Sequence, residues 1–163
     1  MAQYVYVDSR GYKWITFPRS TTQSLCVFDD NKTIKEDLFD NVAKSVAESF
    51  KGKNKKGFDI GVTSTQLRRI FEEVKQFEQI LLSSEDQWEK QLPYIKMIKS
   101  KVAYTVARAS KQKSDEKGVY KNLEVFISSC IDLIKKQEDY HIFVNLFEAA
   151  YGFYYDLAPK SCQ

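Results

Sequence analysis

Residues 63 to 81, TSTQLRRIFEEVKQFEQIL, decide the fold. Thr63 and Gln66 stand at capping-box spacing, so a threonine hydroxyl and a glutamine amide can close the start of a helix. Leu67, Ile70, Phe71, Val74, Phe77 and Leu81 then recur every three or four residues and trace one apolar stripe on a helix. A helix with one apolar stripe and a charged opposite face must bury that stripe against partners of the same kind.

Such partners lie on both sides. Upstream, Thr33 and Glu36 repeat the capping spacing, and Ile34, Leu38, Val42, Val46 and Phe50 predict a helix ending near Phe50. The stretch between the two, KGKNKKGFDIG over residues 51 to 61, has three glycines and four lysines and reads as a basic loop. Downstream, Ser84 and Gln87 suit a short turn carrying Trp88. Pro93 suits the first position of a third helix, where its missing N–H needs no partner. Ile95, Ile98, Val102 and Val106 form that helix's apolar face. After the polar stretch Ser110 to Gly118, Val119, Leu123, Phe126, Cys130 and Ile134 mark a fourth helix, and a fifth spans about Glu138 to Leu157. In this last helix Tyr140, Phe143, Val144, Phe147, Tyr151 and Tyr154 follow one stripe, and Ile142, Leu146, Ala150, Phe153 and Leu157 a second. An element apolar nearly all round is either central in its own domain or shares one stripe with another subunit, and amphipathic tyrosines suit a partly wet interface.

The first 30 residues read differently. Tyr4 to Val7 and Tyr12 to Phe17 are β-branched and aromatic runs flanking Asp8-Ser9-Arg10-Gly11, a hairpin signal. Pro18 ends the second run, and Arg19 to Ser24 reads as loop. An isolated hairpin is marginal in water, so it is expected to dock. The expectation is an all-α chain: a compact bundle of about five helices over residues 31–163, with an N-terminal β-hairpin extension and loop over residues 1–30.

Composition narrows the chemistry. One histidine, His141, and three scattered cysteines, Cys26, Cys130 and Cys162, offer no zinc spacing, and neither metal nor cofactor is expected. An odd, unpatterned cysteine count without a basic-apolar-small leader fits a reduced, cytoplasmic protein. No apolar run approaches the roughly 20 residues that span a bilayer. Glycine-rich phosphate loops, nucleophile elbows and HExxH are missing, so no enzyme is expected. His141, beside Tyr140 and Ile142, reads as a packed or partly exposed residue. Asp29-Asp30 and Glu72-Glu73 read as surface charges, because neighbours on a helix point apart. Cys130 reads as a small core residue.

Charge is distributed in blocks within a net of only +3. Residues 51 to 75 carry seven basic side chains against three acidic, and residues 96 to 121 eight against two. If folding joined the two blocks, a basic face would suit a phosphate backbone; otherwise the lysines are solvated loops and helix faces. Arg68 and Arg69 fall at the start of their helix, where cations oppose the dipole unless they converge with backbone N–H groups on an anion. On the third helix Tyr94, Lys101, Thr105, Arg108 and Gln112 recur beside the apolar face, with Lys96 and Lys99 near its start. Arginine forks match phosphate oxygens better than lysine does.

The segments GVTSTQLRRIFEEVKQFE, LPYIKMIKSKVAYTVAR and FISSCIDLIKKQEDYHIFVNLFEAAYGFYY, within residues 61 to 155, resemble the small subunit of the type III-A CRISPR-Cas interference complex, the Csm complex. The most specific pieces are the TSTQLRRIF helix start, the Lys-x-Ala-Tyr-x-x-x-Arg run from Lys101 to Arg108, and the aromatic last helix. Ala107 departs from the Gly-Arg with which family members close that run. The resemblance implies a non-catalytic helical subunit that stacks in several copies along guide RNA and target RNA and touches phosphates without reading sequence. RNA cleavage would belong to the backbone subunit, and DNA cleavage and cyclic oligoadenylate synthesis to the large subunit. It carries RNA contact onto Arg68, Arg69, Lys101 and Arg108, while Lys96, Lys99, Lys111 and Lys113 follow from position and charge. Other copies of the chain and the backbone and large subunits are the expected partners, with no membrane. The competing reading is a helical protein–protein adaptor whose aromatic last helix binds a partner.

Overall fold

The computed structural model describes the backbone of residues 5–7, 12–16 and 24–29, and residues 36–112 and 116–163 in full. The Thr33 cap, Ile34, the Asp8–Gly11 turn, Pro18 and Lys113 lie outside the described residues.

The two N-terminal runs pair as β1 (Val5–Val7) and β2 (Tyr12–Thr16), antiparallel, with Val5 opposite Ile15 and Val7 opposite Lys13. A third strand, β3 (Ser24–Asp29), adds to β2, so the expected hairpin is part of a three-stranded antiparallel sheet; residues 19–23 of the expected loop lie outside the described residues. Leu25-Cys26-Val27-Phe28 is an apolar, partly β-branched run of the composition strands favour.

The helices follow. A π-helical segment, Leu38–Val42, runs into α1 (Ala43–Ser49), and then come α2 (Ser64–Ser83), α3 (Trp88–Gln112), α4 (Lys117–Leu133) and α5 (Gln137–Leu157). A 3-10 turn, Lys160–Cys162, closes the chain. The meander docks as expected, β2 against α4 and β3 against the π segment. The stripes read from the sequence are the core: Leu38, Val46, Phe50, Leu67, Val74, Ile95, Ile98, Val102, Leu123, Phe126 and Cys130 are buried. The fold is the all-α bundle of five helices expected.

Two local expectations are corrected. Residues 51 to 61 are not a loop but a second hairpin, β4 (Lys51–Lys53) against β5 (Asp59–Gly61). Asn54 organises its turn: its Oδ1 accepts the N–H groups of Lys56 (2.9 Å) and Phe58 (3.0 Å), and Gly57 takes φ of 82°. Pro93 does not start α3 but lies inside it, five residues past Trp88. Its missing N–H removes one bond near the start of a long helix, a loss 25 residues of packed helix outweigh.

α5 is central. It packs against α1 and α2, while α4 packs against α3. Tyr140, Phe143, Phe147 and Tyr154 are buried, and Phe143 meets Phe147 edge-on at 6.0 Å. Phe71 stacks on Phe147 (5.4 Å) and Tyr151 (5.0 Å). The α5 tyrosines therefore serve their own domain, with Tyr155 exposed. Burial pushes the Cys130 thiol well above its ordinary value, in keeping with a core residue.

Three buried hydroxyls tie this core to α2. Tyr140 donates to the Val74 carbonyl (2.7 Å), and Tyr154 to the Val62 carbonyl (2.7 Å) just before the helix. Tyr120, on α4, accepts the Thr63 N–H (3.2 Å) and donates to Gln66 Oε1. Thr63 caps α2, its hydroxyl oxygen accepting the Gln66 N–H (3.3 Å). The return half of the capping box is thus supplied by Tyr120 rather than by Gln66.

Gly61 is where this arrangement tolerates least. A methyl there would lie 2.5 Å from Tyr154 Oη and 3.1 Å from Pro159 Cδ. Gly61→Ala is expected to push the hydroxyl off Val62 and destabilise the fold by about 1 to 3 kcal/mol. Thermal unfolding checks this, at about 2 to 4 °C for each kcal/mol in a chain of this size.

Burial, the largest cause in each case, raises the pKa of Tyr120, Tyr140 and Tyr154 above the ordinary value of 10.0. An acid whose folded-state pKa is raised keeps its proton longer in the native state, so its contribution is complete below about pH 10 and declines above it. Denaturant unfolding followed into alkaline pH should give falling stability, with the last tyrosinate absorbance appearing together with loss of helix. Tyrosinate from all ten tyrosines while the fold persists would contradict the burial.

Candidate nucleic-acid interface

α2 and α3 are consecutive and joined by a short turn in which Asp86 takes φ of 62°, so they run antiparallel. The start of α2 therefore lies beside the end of α3. This brings the two basic blocks of the sequence together. Gln66, Arg69 and Ile70 from α2 and Tyr104, Thr105, Arg108 and Gln112 from α3 line one groove of about 300 Å³.

The eight residues singled out from the sequence fall into distinct groups. Arg69 and Arg108 face each other across the groove, both exposed and without an ion pair among the described residues. Arg68 is one step round the helix, where its Nε donates to Glu72 (2.8 Å). Lys101 is bonded to Glu73 across the seam one turn further along. Lys99 pairs with Asp132 of α4 and so sits on the opposite flank of α3 from the groove. Lys96, one turn earlier, is exposed on that flank, and Lys111 is exposed beside Gln112. Lys113 lies outside the described residues. Glu72 and Glu73 are surface charges as expected, each neutralising one cation.

The dipole argument for the arginine pair is weakened. α2 starts at Ser64, so Arg68 and Arg69 occupy its second turn, and the dipole acts mainly over the first. What groups Arg69 with Arg108 is the helix pairing.

Tyr104, the tyrosine of the Lys-x-Ala-Tyr-x-x-x-Arg run, is the groove residue to which sequence reasoning gives no role. It is 68 % exposed and belongs to a stripe Tyr94, Met97, Lys101, Tyr104, Arg108 along α3. The spacing of three and four residues was the available signal, since it repeats on the polar side of the helix. The β4–β5 hairpin, whose strand β5 leads into α2, adds exposed Lys51, Lys53, Lys55 and Lys56, with Phe58 exposed near its turn. His141 is half-buried, with Nδ1 3.4 Å from Glu78 and Nε2 3.3 Å from Gln137. Among the described residues no group of three or more His, Cys, Asp or Glu side chains could hold a metal ion, and no helix is long and apolar enough to cross a membrane.

Charge and core are separable here. Arg69→Glu and Arg108→Glu alter exposed side chains and should move stability by less than about 0.5 kcal/mol each. Lys101→Glu should cost more than either, because it sets a second carboxylate against Glu73. Leu67→Ala, emptying a fully buried site, should cost about 2 to 5 kcal/mol. Denaturant unfolding of the four variants checks the order.

No curated protein and no solved structure matches the chain. The family model described as Csm2 Type III-A matches residues 33–156, which contain α1 to α4, all but the last residue of α5, and both sides of the groove. The chain belongs to the Csm2 type III-A family, the small subunits of the type III-A CRISPR-Cas Csm complex.

Proposed function

We propose that this chain is a non-catalytic RNA-binding subunit. Several copies stack along guide RNA and target RNA, alongside the backbone and large subunits, and contact phosphates without reading sequence. One observation carries the reading: two basic segments some 40 residues apart in the chain meet at Arg69 and Arg108, on one groove. Guanidinium forks bind phosphate oxygens in pairs of parallel hydrogen bonds, whichever base is attached. Arg68 and Lys101 flank them, and both can exchange a carboxylate partner for a phosphate. Lys96, Lys99 and Lys111 lie outside the groove and contribute field rather than contact. RNA cleavage would then fall to other subunits of the complex.

Phosphate contacts release counterions, so affinity of the chain for RNA should fall steeply as salt rises and depend little on base sequence. Arg69→Glu together with Arg108→Glu should weaken binding by at least about tenfold, each lost charge-assisted contact being worth on the order of 1.5 to 3 kcal/mol. Filter binding at several salt concentrations, with the double variant and with unrelated RNA sequences, tests this. Salt-independent binding, strong base preference, or a folded double variant that binds normally would favour the protein–protein adaptor instead.

A further inference from the structure

We infer that the α2–α3 groove seats one unpaired nucleotide, with its phosphate between Arg69 and Arg108 and its base on the ring of Tyr104. This deepens the RNA-binding reading and rests on it.

The first support is Tyr104 itself. A tyrosine exposed to 68 % leaves most of its ring in water, and among the described residues no aromatic or cationic side chain stacks on it. Phe71, by contrast, stacks on Phe147 and Tyr151, and Tyr120 holds the helix cap; Phe58 and Tyr155 are exposed as well, but neither lines the groove. Tyr104 projects from the same groove as the two guanidiniums. An aromatic face beside paired cations is the arrangement that binds single strands, where the backbone follows the charge and the base covers the ring.

Size gives the second support. About 300 Å³ is the lower end of small-ligand clefts, room for one nucleotide. In an A-form duplex the bases are paired and stacked inside, and what reaches a protein surface is phosphate, ribose and the shallow groove edge. A duplex can therefore use the arginines but cannot lay a base on Tyr104. The polar rim points the same way. Gln66 Oε1 is occupied by Thr63 and Tyr120, which leaves its amide N–H groups as donors. The Thr105 hydroxyl donates to the Lys101 carbonyl (3.0 Å), which leaves its oxygen as an acceptor. A donor and an acceptor beside the ring suit a ribose hydroxyl or a base edge that is not already paired.

The test uses the full chain with a short single-stranded RNA carrying 2-aminopurine, and the same strand annealed to its complement. Anisotropy reads affinity and aminopurine fluorescence reads stacking. Tyr104→Ala should weaken single-strand binding by roughly 5- to 150-fold, the range for one base–aromatic stack, abolish the fluorescence quenching, and leave duplex affinity within about twofold. Tyr104→Phe, which keeps the ring, should behave as the unaltered chain. The Arg69→Glu, Arg108→Glu double variant should weaken both RNAs. If the double variant weakens both while Tyr104→Ala changes neither, or changes both equally, the nucleotide seat is wrong and phosphate contact stands. If the unaltered chain binds neither RNA, or the double variant binds both normally, the RNA-binding reading itself fails. Thermal unfolding of each variant guards against a folding defect; Tyr104 is a surface position, and a melted Tyr104→Phe variant would overturn the placement of its side chain.

Discussion

A phenol hydroxyl removed from water must find an acceptor, and this bundle meets that constraint three times on one helix. Tyr154 bonds the carbonyl just before α2, Tyr120 the cap at its start, and Tyr140 a carbonyl in its middle. Hydrophobic contact alone would let α2 slide or rotate at modest cost. Three hydroxyls with fixed partners would not, because a shift strands a buried polar group at about 1 to 3 kcal/mol. The helix that carries Arg68 and Arg69 is thereby registered against α4 and α5. The approach of Gly61 to Tyr154 is part of the same constraint, since the chain must pass close enough for Val62 to reach the hydroxyl.

Fixed register turns a sequence pattern into a site. Arg69 lies three residues beyond Gln66, whose side chain Tyr120 holds, and Arg108 lies seven beyond Lys101, which Glu73 holds. Each arginine is thus placed by a neighbour that is itself bonded. The carboxylates of α2 are distributed to match: Glu72 takes Arg68, Glu73 takes Lys101, and the two guanidiniums on the groove keep no acidic partner among the described residues. Both guanidiniums are thus left free to take an anion from solvent.

What could be read from the sequence was what depends on local period. The stripes Leu67 to Leu81, Ile95 to Val106 and Val119 to Ile134 were legible because burial on a helix repeats every 3.6 residues whatever the partner. The β4–β5 hairpin was not. Its glycines suit a loop, and Gly57 indeed serves the turn with its left-handed φ, but the reason for Gly61 lies far away in the chain, where it meets Tyr154. Pro93 fits the pattern of a helix start, but a long, well-packed helix overrides that preference. For the site, charge blocks pointed to α2 and α3, but nothing in the spacing distinguished Lys99, turned to Asp132, from Arg108, turned to the groove. That distinction exists only once α3 has α2 on one flank and α4 on the other.

The division between lysine and arginine then follows from range. Lys51, Lys55 and Lys56 on the hairpin and Lys96 and Lys111 on α3 are solvated, so their field fades over the roughly 8 Å of physiological screening. They can raise the local concentration of a polyanion but cannot fix its position. In the proposed role Arg69 and Arg108 would act at contact distance, where planar forks select orientation and screening matters less. A subunit that must accept any RNA sequence needs both: a diffuse attraction indifferent to bases, and a short-range seat that fixes the path of the backbone. Here the diffuse charge is spread over the hairpin and the flanks of α3, while the proposed seat would lie between the two helices whose relative position the buried tyrosines set.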